Sequence, residues 1–376
     1  MIKTIDLCAG IGGIRRGFEM TGLFKNVLSA EIDKFSIQTY QHLYNEDPTG
    51  DITDREFKNK VLNTDFDMLL AGFPCQTFSR AGTQKGFLDD TRGTIFFDIA
   101  EIIKENKPPM IFLENVDNLL SHNKGATIDT ILNVLVKELN YSIVGVQEDN
   151  EGNLNWTREA LIRNSKNFGI PQNRPRVYLV GFSKDYFKQK YGNQWNNDLL
   201  NELPKQRRNG VIYKDLHEVL EKDVDIKYYL ASGMLETLEK HKSRHKTKGN
   251  GFGYMIVNNP DIKSPISNAL LATGGSGKER NLVLGSTKYA GDIVQNKKTP
   301  INSKGIRNMT PSEWGKLQGF INYAFLDEKN NDTFSFPNNI SDTQKYKQFG
   351  NSVSIPVIEE LAYYIANILK KLGEIQ

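Results

Sequence analysis

Only two of the 376 residues are cysteines, Cys8 and Cys75. That excludes a disulfide scaffold and a cysteine-rich zinc site, and it fits a reducing cytoplasm. No metal is expected. No run of about 18 apolar residues occurs, so neither a transmembrane helix nor a membrane partner is expected. The start, Met1-Ile2-Lys3-Thr4-Ile5-Asp6, lacks the basic-then-apolar order of a signal peptide. Internal repeats and low-complexity segments are missing too. Charge of one sign is scarce: 48 Lys+Arg stand against 45 Asp+Glu, a net of +3. What is present is a globular composition, 38% hydrophobic and 25% charged, with enough apolar residues for a sizeable core. At roughly 100–200 residues per domain the length points to two domains, with one or three also compatible.

The near-zero mean charge conceals an asymmetry. Residues 183–310 hold 22 Lys+Arg and 13 Asp+Glu, a net of +9, whereas the rest holds 26 and 32, a net of −6. A basic segment beside an acidic remainder points to a polyanion-facing module. Its most basic stretch runs from Lys240 to Lys248. Such a run is either a solvated loop or a nucleic-acid contact, and charge alone does not separate the two.

The first 120 residues alternate between strand and helix patterns. Thr4–Leu7, Val27–Ala30, Asp67–Leu70 and Met110–Leu113 are short apolar runs that read as strands. Helices are predicted over Ile14–Met20, Lys34–Leu43 and Phe96–Lys104. Repeated βα units imply an α/β fold with a mostly parallel, doubly wound sheet. In such sheets ligands sit beyond the carboxyl ends of the strands. The polar candidates fall at those ends. Ala9-Gly10-Ile11-Gly12-Gly13 follows the first strand, but Arg15 replaces the third glycine of a dinucleotide fingerprint. Glu31 ends the next strand, where a carboxylate would bind ribose hydroxyls. Asp51 and Ile52 end the following unit and could frame an adenine. Together they point to an adenosine ligand; a packing turn with surface acids is the alternative. Cys75, just past a strand end between Pro74 and Gln76, is placed like a nucleophile, although free cysteines are more often buried hydrophobes. Its activation would need nearby positive charge or a helix N-terminus.

Six ordered motifs carry a family resemblance. They are Asp6-Leu7-Cys8-Ala9-Gly10-Ile11-Gly12-Gly13, Gly72-Phe73-Pro74-Cys75-Gln76, Glu114-Asn115-Val116, Gln172-Asn173-Arg174-Pro175-Arg176, Arg307 to Glu313 with Leu317-Gln318-Gly319-Phe320, and Tyr346 to Val353. In this order the chain resembles a DNA (cytosine-5)-methyltransferase of the bacterial restriction-modification type, over residues 1–182 and about 307–376. The resemblance implies a Rossmann-like, S-adenosylmethionine-dependent methyltransferase domain. It also implies methyl transfer to C5 of a flipped-out cytosine in a short duplex DNA sequence, and protection of host DNA from a cognate restriction endonuclease acting on the same site. S-adenosyl-L-methionine would be the donor and S-adenosyl-L-homocysteine the product, and the enzyme would act as a monomer in the cytoplasm.

Roles follow by similarity. Cys75 would add to cytosine C6. Glu114 would hold N3 and the exocyclic amine, Arg176 the O2 edge, and Arg174 would brace the loop. Asp6 belongs to the loop in which Cys8, Ala9, Gly10, Ile11, Gly12 and Gly13 would cradle the methionine part and sulfonium side of the cofactor. Glu31 would bind the ribose and Ile32 pack on adenine. Asp51 would accept from the adenine amine, with Ile52 beneath the ring. Pro74 and Ile95 would add contacts, and Asn351, Ser352 and Val353 would complete the site. Cys8 and Ile32 depart from the aromatic residue and tryptophan common at those places. Ser79 and Arg92 are candidates for phosphate contact, in and just beyond a loop that could close over DNA.

The family pattern stops between Phe182 and Arg307. By resemblance that region holds the target-recognition domain, in which Lys278, Arg280 and Asn281 are candidates for base or phosphate contact. Where the family often has Thr-Leu this chain has Ala269-Leu270. The expected division is therefore 1–182 plus 325–376 as the catalytic domain and 183–324 as a smaller, irregular target-recognition domain, with double-stranded DNA between them. Glu359–Leu369 reads as a closing amphipathic helix. Three other functions stay open: a tRNA cytosine-5 methyltransferase, a catalytically dead DNA-binding module, and an adenosine-dependent enzyme acting on a small molecule. The first typically carries a Cys-Phe-Thr tripeptide, and no cysteine follows Cys75.

Overall fold

The computed structural model describes residues 1–74, 94–200, 202–249, 253–272 and 278–374. They form two compact units. The first comprises residues 1–164, 175–208 and 355–376. Its opening elements are β1 (Ile2–Leu7), α1 (Gly13–Glu19), β2 (Phe24–Ala30), α2 (Lys34–Tyr44), α3 (Arg55–Leu62), β3 (Met68–Gly72), α4 (Ile95–Asn106) and β4 (Met110–Val116). Strands β5 (Tyr141–Ile143), β6 (Ile162–Asn164) and β7 (Pro175–Ser183) complete its sheet.

The sheet order is β2-β1-β3-β4-β7-β5, with β6 also paired to β7. Strands β2, β1, β3 and β4 are parallel neighbours. The β7 pairings with β4, β5 and β6 are antiparallel. The sheet is thus parallel in the half built by βα units and antiparallel in the half that β7 joins. Met68, Leu69, Leu70 and Ala71 are fully buried, as central parallel strands covered on both faces require. Each such leucine contributes about 1.5–3 kcal/mol of burial. Helix α4 presses Phe96, Ile99, Ala100, Ile102 and Ile103 into the core. The helix Ile355–Lys371 packs on α1. Gly17 permits that approach, since a Cβ there would lie 2.6 Å from the Ile358 side chain.

The second unit comprises residues 165–174 and 209–354. Its described strands are two residues long, and its longest described helix is Ser232–Thr247. Arg307 and Glu313, 1% and 0% exposed, form a bidentate ion pair of 2.7 and 2.8 Å. The same carboxylate accepts the backbone N–H groups of Thr310 and Glu221. Thr310 and Glu313 form a capping box for the helix Pro311–Gln318, with Pro311 at its first turn.

The units divide the chain differently from the sequence expectation. Residues 183–208 pack with the first unit: Phe187 stacks on Trp195 at 4.5 Å, and the buried Arg163 guanidinium donates to the Leu203 carbonyl at 2.6 Å. Residues 325–354 pack with the second, through the rings of Phe320, Phe325, Phe334, Phe336 and Phe349. The closing helix itself is longer than expected, spanning Ile355–Lys371.

Removing the guanidinium of the buried pair would strand the Glu313 carboxylate. Arg307→Ala should lower unfolding stability by about 3–5 kcal/mol in urea melts; a loss under about 1 kcal/mol would contradict this role.

Candidate active site

Parallel pairing brings the carboxyl ends of β1, β2, β3 and β4 to one edge. The register aligns Leu7 with Ala30 and Ala71, and Gly72 with Glu114. The chain leaves β1 through Cys8, Gly10 and Gly12, at φ values of 56°, 58° and 77°. Glycine adopts this left-handed backbone without cost, and Gly12 there caps α1. The Gly10 N–H donates to Glu31 Oε2 at 2.6 Å, while Glu31 Oε1 accepts from the N–H groups of Ile32 and Asp33, both at 2.8 Å. Glu31 thereby ties the glycine loop to the end of β2. A bridge between Glu31 and Thr49 carries the next segment alongside. In it Asp51 Oδ1 accepts from the Thr53 N–H at 2.9 Å, and Ile52 is buried. Ile32 is 70% exposed and its side chain is open to a ligand.

Asp6 is completely buried. Its Oδ2 accepts the Arg15 N–H at 3.4 Å, and its Oδ1 has no hydrogen-bond partner among the described residues. Burial raises this carboxyl to about pKa 7, against the opposing pull of the Arg15 N–H. The Cys8 thiol is pushed up to about 12, chiefly by burial and then by Glu31 and Asp6. It therefore stays a thiol at neutral pH. These residues fit an adenosine-bearing sulfonium ligand: a buried acidic oxygen without a partner among the described residues, open space beside Gly10, a carboxylate at the end of β2 and another just after the Thr49 bridge.

At the ends of β3 and β4, Glu114 and Arg176 are each 8% exposed. Arg176 Nε lies 3.3 Å from Glu114 Oε1. The antiparallel direction of β7 puts Arg176 there, two residues along from the Tyr178–Glu114 pair. Sequence reasoning gave Asn115 no role. Its Nδ2 donates to the Phe73 carbonyl at 2.8 Å, and its Oδ1 accepts the Val116 N–H. This fixes the chain where it leaves β3 for the exposed Pro74. The legible signal was an amide next to an acid at a strand end. Ile95 is half-buried at the start of α4. Cys75, Ser79 and Arg92 lie outside the described residues.

Other expected residues lie in the second unit. Arg174, expected to brace the loop, is 2% exposed. Its guanidinium donates to the carbonyls of Leu270, Gly350 and Ser352. Gln172 donates to the Leu317 carbonyl at 2.7 Å and accepts the Leu270 N–H at 3.2 Å. Leu270, the residue compared with the family's leucine, is thus held through both backbone groups. Gly350 is needed there, because a Cβ would lie 2.5 Å from the Leu271 backbone. Asn351 is exposed, Ser352 half-buried and Val353 buried.

Asn281, expected at the DNA, is 2% exposed, and its Oδ1 accepts the Asn268 N–H at 2.8 Å. Its side chain is spent inside the unit. Arg280 is half-buried with Nη2 3.6 Å from the Met255 sulfur, and Lys278 opens the same single helical turn, Lys278–Asn281. The basic stretch from Lys240 is the exposed C-terminal half of Ser232–Thr247, not a loop. Among the described residues no helix is long and apolar enough to cross a membrane, and no group of three His, Cys, Asp or Glu side chains could hold a metal.

Residues 2–367 match the family described as C-5 cytosine-specific DNA methylase. The chain is 43% identical to the Type II methyltransferase M.HpaII of Haemophilus parainfluenzae, covering 99% of this chain and 90% of that one. It is 31% identical to the Type II methyltransferase M.HhaI of Haemophilus parahaemolyticus, covering 98% and 95%. Its fold is similar to the crystal structure of S. pombe Dnmt2 methyltransferase, with a TM-score of 0.62, 20% identity and coverage of 99% and 100%. That likeness supports the methyltransferase fold.

The Asp6 carboxyl gives a pH test. Its folded pKa of about 7 exceeds the unfolded value of roughly 3.9. Stability from neutral Asp6 is therefore present at low pH and lost as pH rises to about 7. Asp6→Asn cannot ionise. Relative to the parent, its unfolding free energy should rise by about 2–3 kcal/mol between about pH 5 and 8 in urea melts of ligand-free protein. A pH-independent difference would remove the burial assignment.

Proposed function

The chain belongs to the family of C-5 cytosine-specific DNA methylases, and on that premise we propose that it methylates one cytosine of a short duplex sequence through a covalent bond between Cys75 and C6. The observation that carries this reading is the Glu114–Arg176 pair. An acid and a guanidinium stand together at the strand edge, where Asn115 pins the segment that leads into Cys75.

Cytosine C5 is a poor nucleophile. Addition of the Cys75 thiolate to C6 makes the ring an enamine and places electron density on C5. Glu114 holds N3 and the exocyclic amine, delivering or sharing a proton as negative charge develops on the ring. Arg176 contacts O2 and stabilises that charge. Their ion pair fixes both groups before the base arrives. Bound S-adenosyl-L-methionine would supply an electrophilic sulfonium methyl, so that the C5–CH3 bond forms as the S–CH3 bond breaks and S-adenosyl-L-homocysteine is the product. Loss of the C5 proton to solvent then re-forms the C5–C6 double bond and breaks the Cys75–C6 bond. The glycine loop with Asp6 holds the methionine part, and Glu31 the ribose hydroxyls. Ile32 and Ile52 pack on the adenine, Asp51 accepts from its amine, and Pro74 and Ile95 add contacts. Cys8 has no nucleophilic part in this scheme, because its thiol stays protonated.

The cytosine must leave the duplex stack, at a cost of about a few kcal/mol. Ser79 and Arg92 contact phosphates, and Lys278 and Arg280 contribute to duplex recognition from the basic segment. The enzyme works as a monomer and modifies the two strands in separate events. Its methylation protects host DNA from a restriction endonuclease that cuts the same sequence.

Bisulfite sequencing of plasmid DNA from bacteria expressing the protein tests this, beside a Cys75→Ser control. The expected result is protection of cytosines in one recurring short sequence, lost in the control. Protection that persists with Cys75→Ser would refute the nucleophile. No protection by a folded parent would reject DNA methylation.

A further inference from the structure

The glycine loop has a second support besides Glu31. Tyr44, the last residue of α2, donates its hydroxyl hydrogen to the Gly12 carbonyl at 2.8 Å. Its ring occupies the space a Gly12 side chain would need, since a Cβ there would lie 2.4 Å from the ring's Cε2. The Arg15 guanidinium lies over that ring, 4.2 Å from its centre. Arg15 in turn reaches Tyr40 Oη at 2.7 Å, Glu19 at 3.0 Å, and both oxygens of Glu46 at 2.6 and 3.0 Å. Its own backbone N–H is the one that Asp6 accepts. Burial holds the Tyr44 hydroxyl well above its ordinary pKa, so it remains a donor throughout the neutral range.

Gly12 is the left-handed residue that starts α1. Its carbonyl also accepts the first helical N–H, from Arg16 at 2.9 Å. The direction of that peptide decides where the N–H groups of the loop point. Glu31 fixes the loop at Gly10, and Tyr44 fixes it at Gly12. We propose that Tyr44, clamped by Arg15, is a positioning residue for the methyl donor: it holds the glycine loop in its binding conformation without touching the ligand. This rests on the assignment of the loop to S-adenosyl-L-methionine.

Tyr44→Phe removes the hydroxyl and keeps the ring that fills the Gly12 space. With one neutral hydrogen bond lost, donor affinity should fall about threefold to tenfold, by calorimetry with S-adenosyl-L-homocysteine and in the donor KM. The kcat at saturating donor and the affinity for duplex DNA should stay at parent values. Arg15→Lys, which loses the planar cover and the two-oxygen grip on Glu46, should weaken donor binding in the same direction. The double variant should fall short of the product of the two effects, because both act through one contact. Unchanged ligand affinity in Tyr44→Phe would overturn the proposal, with or without a lower melting temperature. So would a fall in kcat with KM unchanged. A parent protein that binds no S-adenosyl-L-homocysteine would instead defeat the underlying loop assignment.

Discussion

Parallel pairing of β1 with β3 and of β3 with β4 is the constraint on which the site depends. Strands that run the same way end on the same edge, so residues far apart in sequence meet there as neighbours. Asp6, Gly72 and Glu114 occupy that edge because the register places Leu7 beside Ala71 and Gly72 beside Glu114. An antiparallel strand laid against β4 brings its beginning to the edge instead. That is why Arg176, at the start of β7, meets Glu114. A parallel β7 would have put its far end, near Phe182, at that place. The mixed sheet is therefore what joins the acid to the guanidinium.

Local chemistry refines this frame. The glycine turn is held at Gly10 by a carboxylate and at Gly12 by a phenol. Asp6 is buried beneath it with one oxygen unpartnered among the described residues. A preorganised loop loses less freedom when a ligand binds, which is the general route by which rigid supports raise affinity. The second unit uses polar groups differently. Gln172, Arg174 and Gln318 satisfy backbone carbonyls at Leu270, Leu317, Phe349, Gly350 and Ser352. Short strands bury too little apolar surface to define an irregular fold, so side-chain hydrogen bonds to backbone supply the definition.

Much of this was legible in the sequence. Apolar runs marked the strands, with Asp6 inside the first and Glu31 and Glu114 at the ends of two others, and ordered motifs pointed to the family. Other features were not legible, for physical reasons. The direction of β7 has no sequence signal, since a buried strand reads the same in either orientation. The packing of residues 325–354 with the second unit depends on phenylalanines that find one another only in three dimensions. Asn281 looked like a base reader because amides read adenine, yet a buried amide serves the backbone equally well. The Tyr44–Gly12 contact joins residues 32 apart, with no periodicity to announce it. The basic stretch from Lys240 was ambiguous for a simpler reason: its charges hide the periodicity of the exposed helix that carries it.

In the proposed reaction, the acid and the guanidinium on this edge support covalent attack by Cys75 on cytosine C6. Mass spectrometry of the protein incubated with S-adenosyl-L-methionine and duplex DNA carrying 5-fluorocytosine at the target position tests it most directly. Fluorine at C5 cannot leave as a proton does, so the reaction halts with the enzyme attached. The expected result is a stable one-to-one adduct whose crosslinked peptide contains Cys75. A folded protein that methylates ordinary target DNA but yields no adduct, or one linked through another residue, would contradict it.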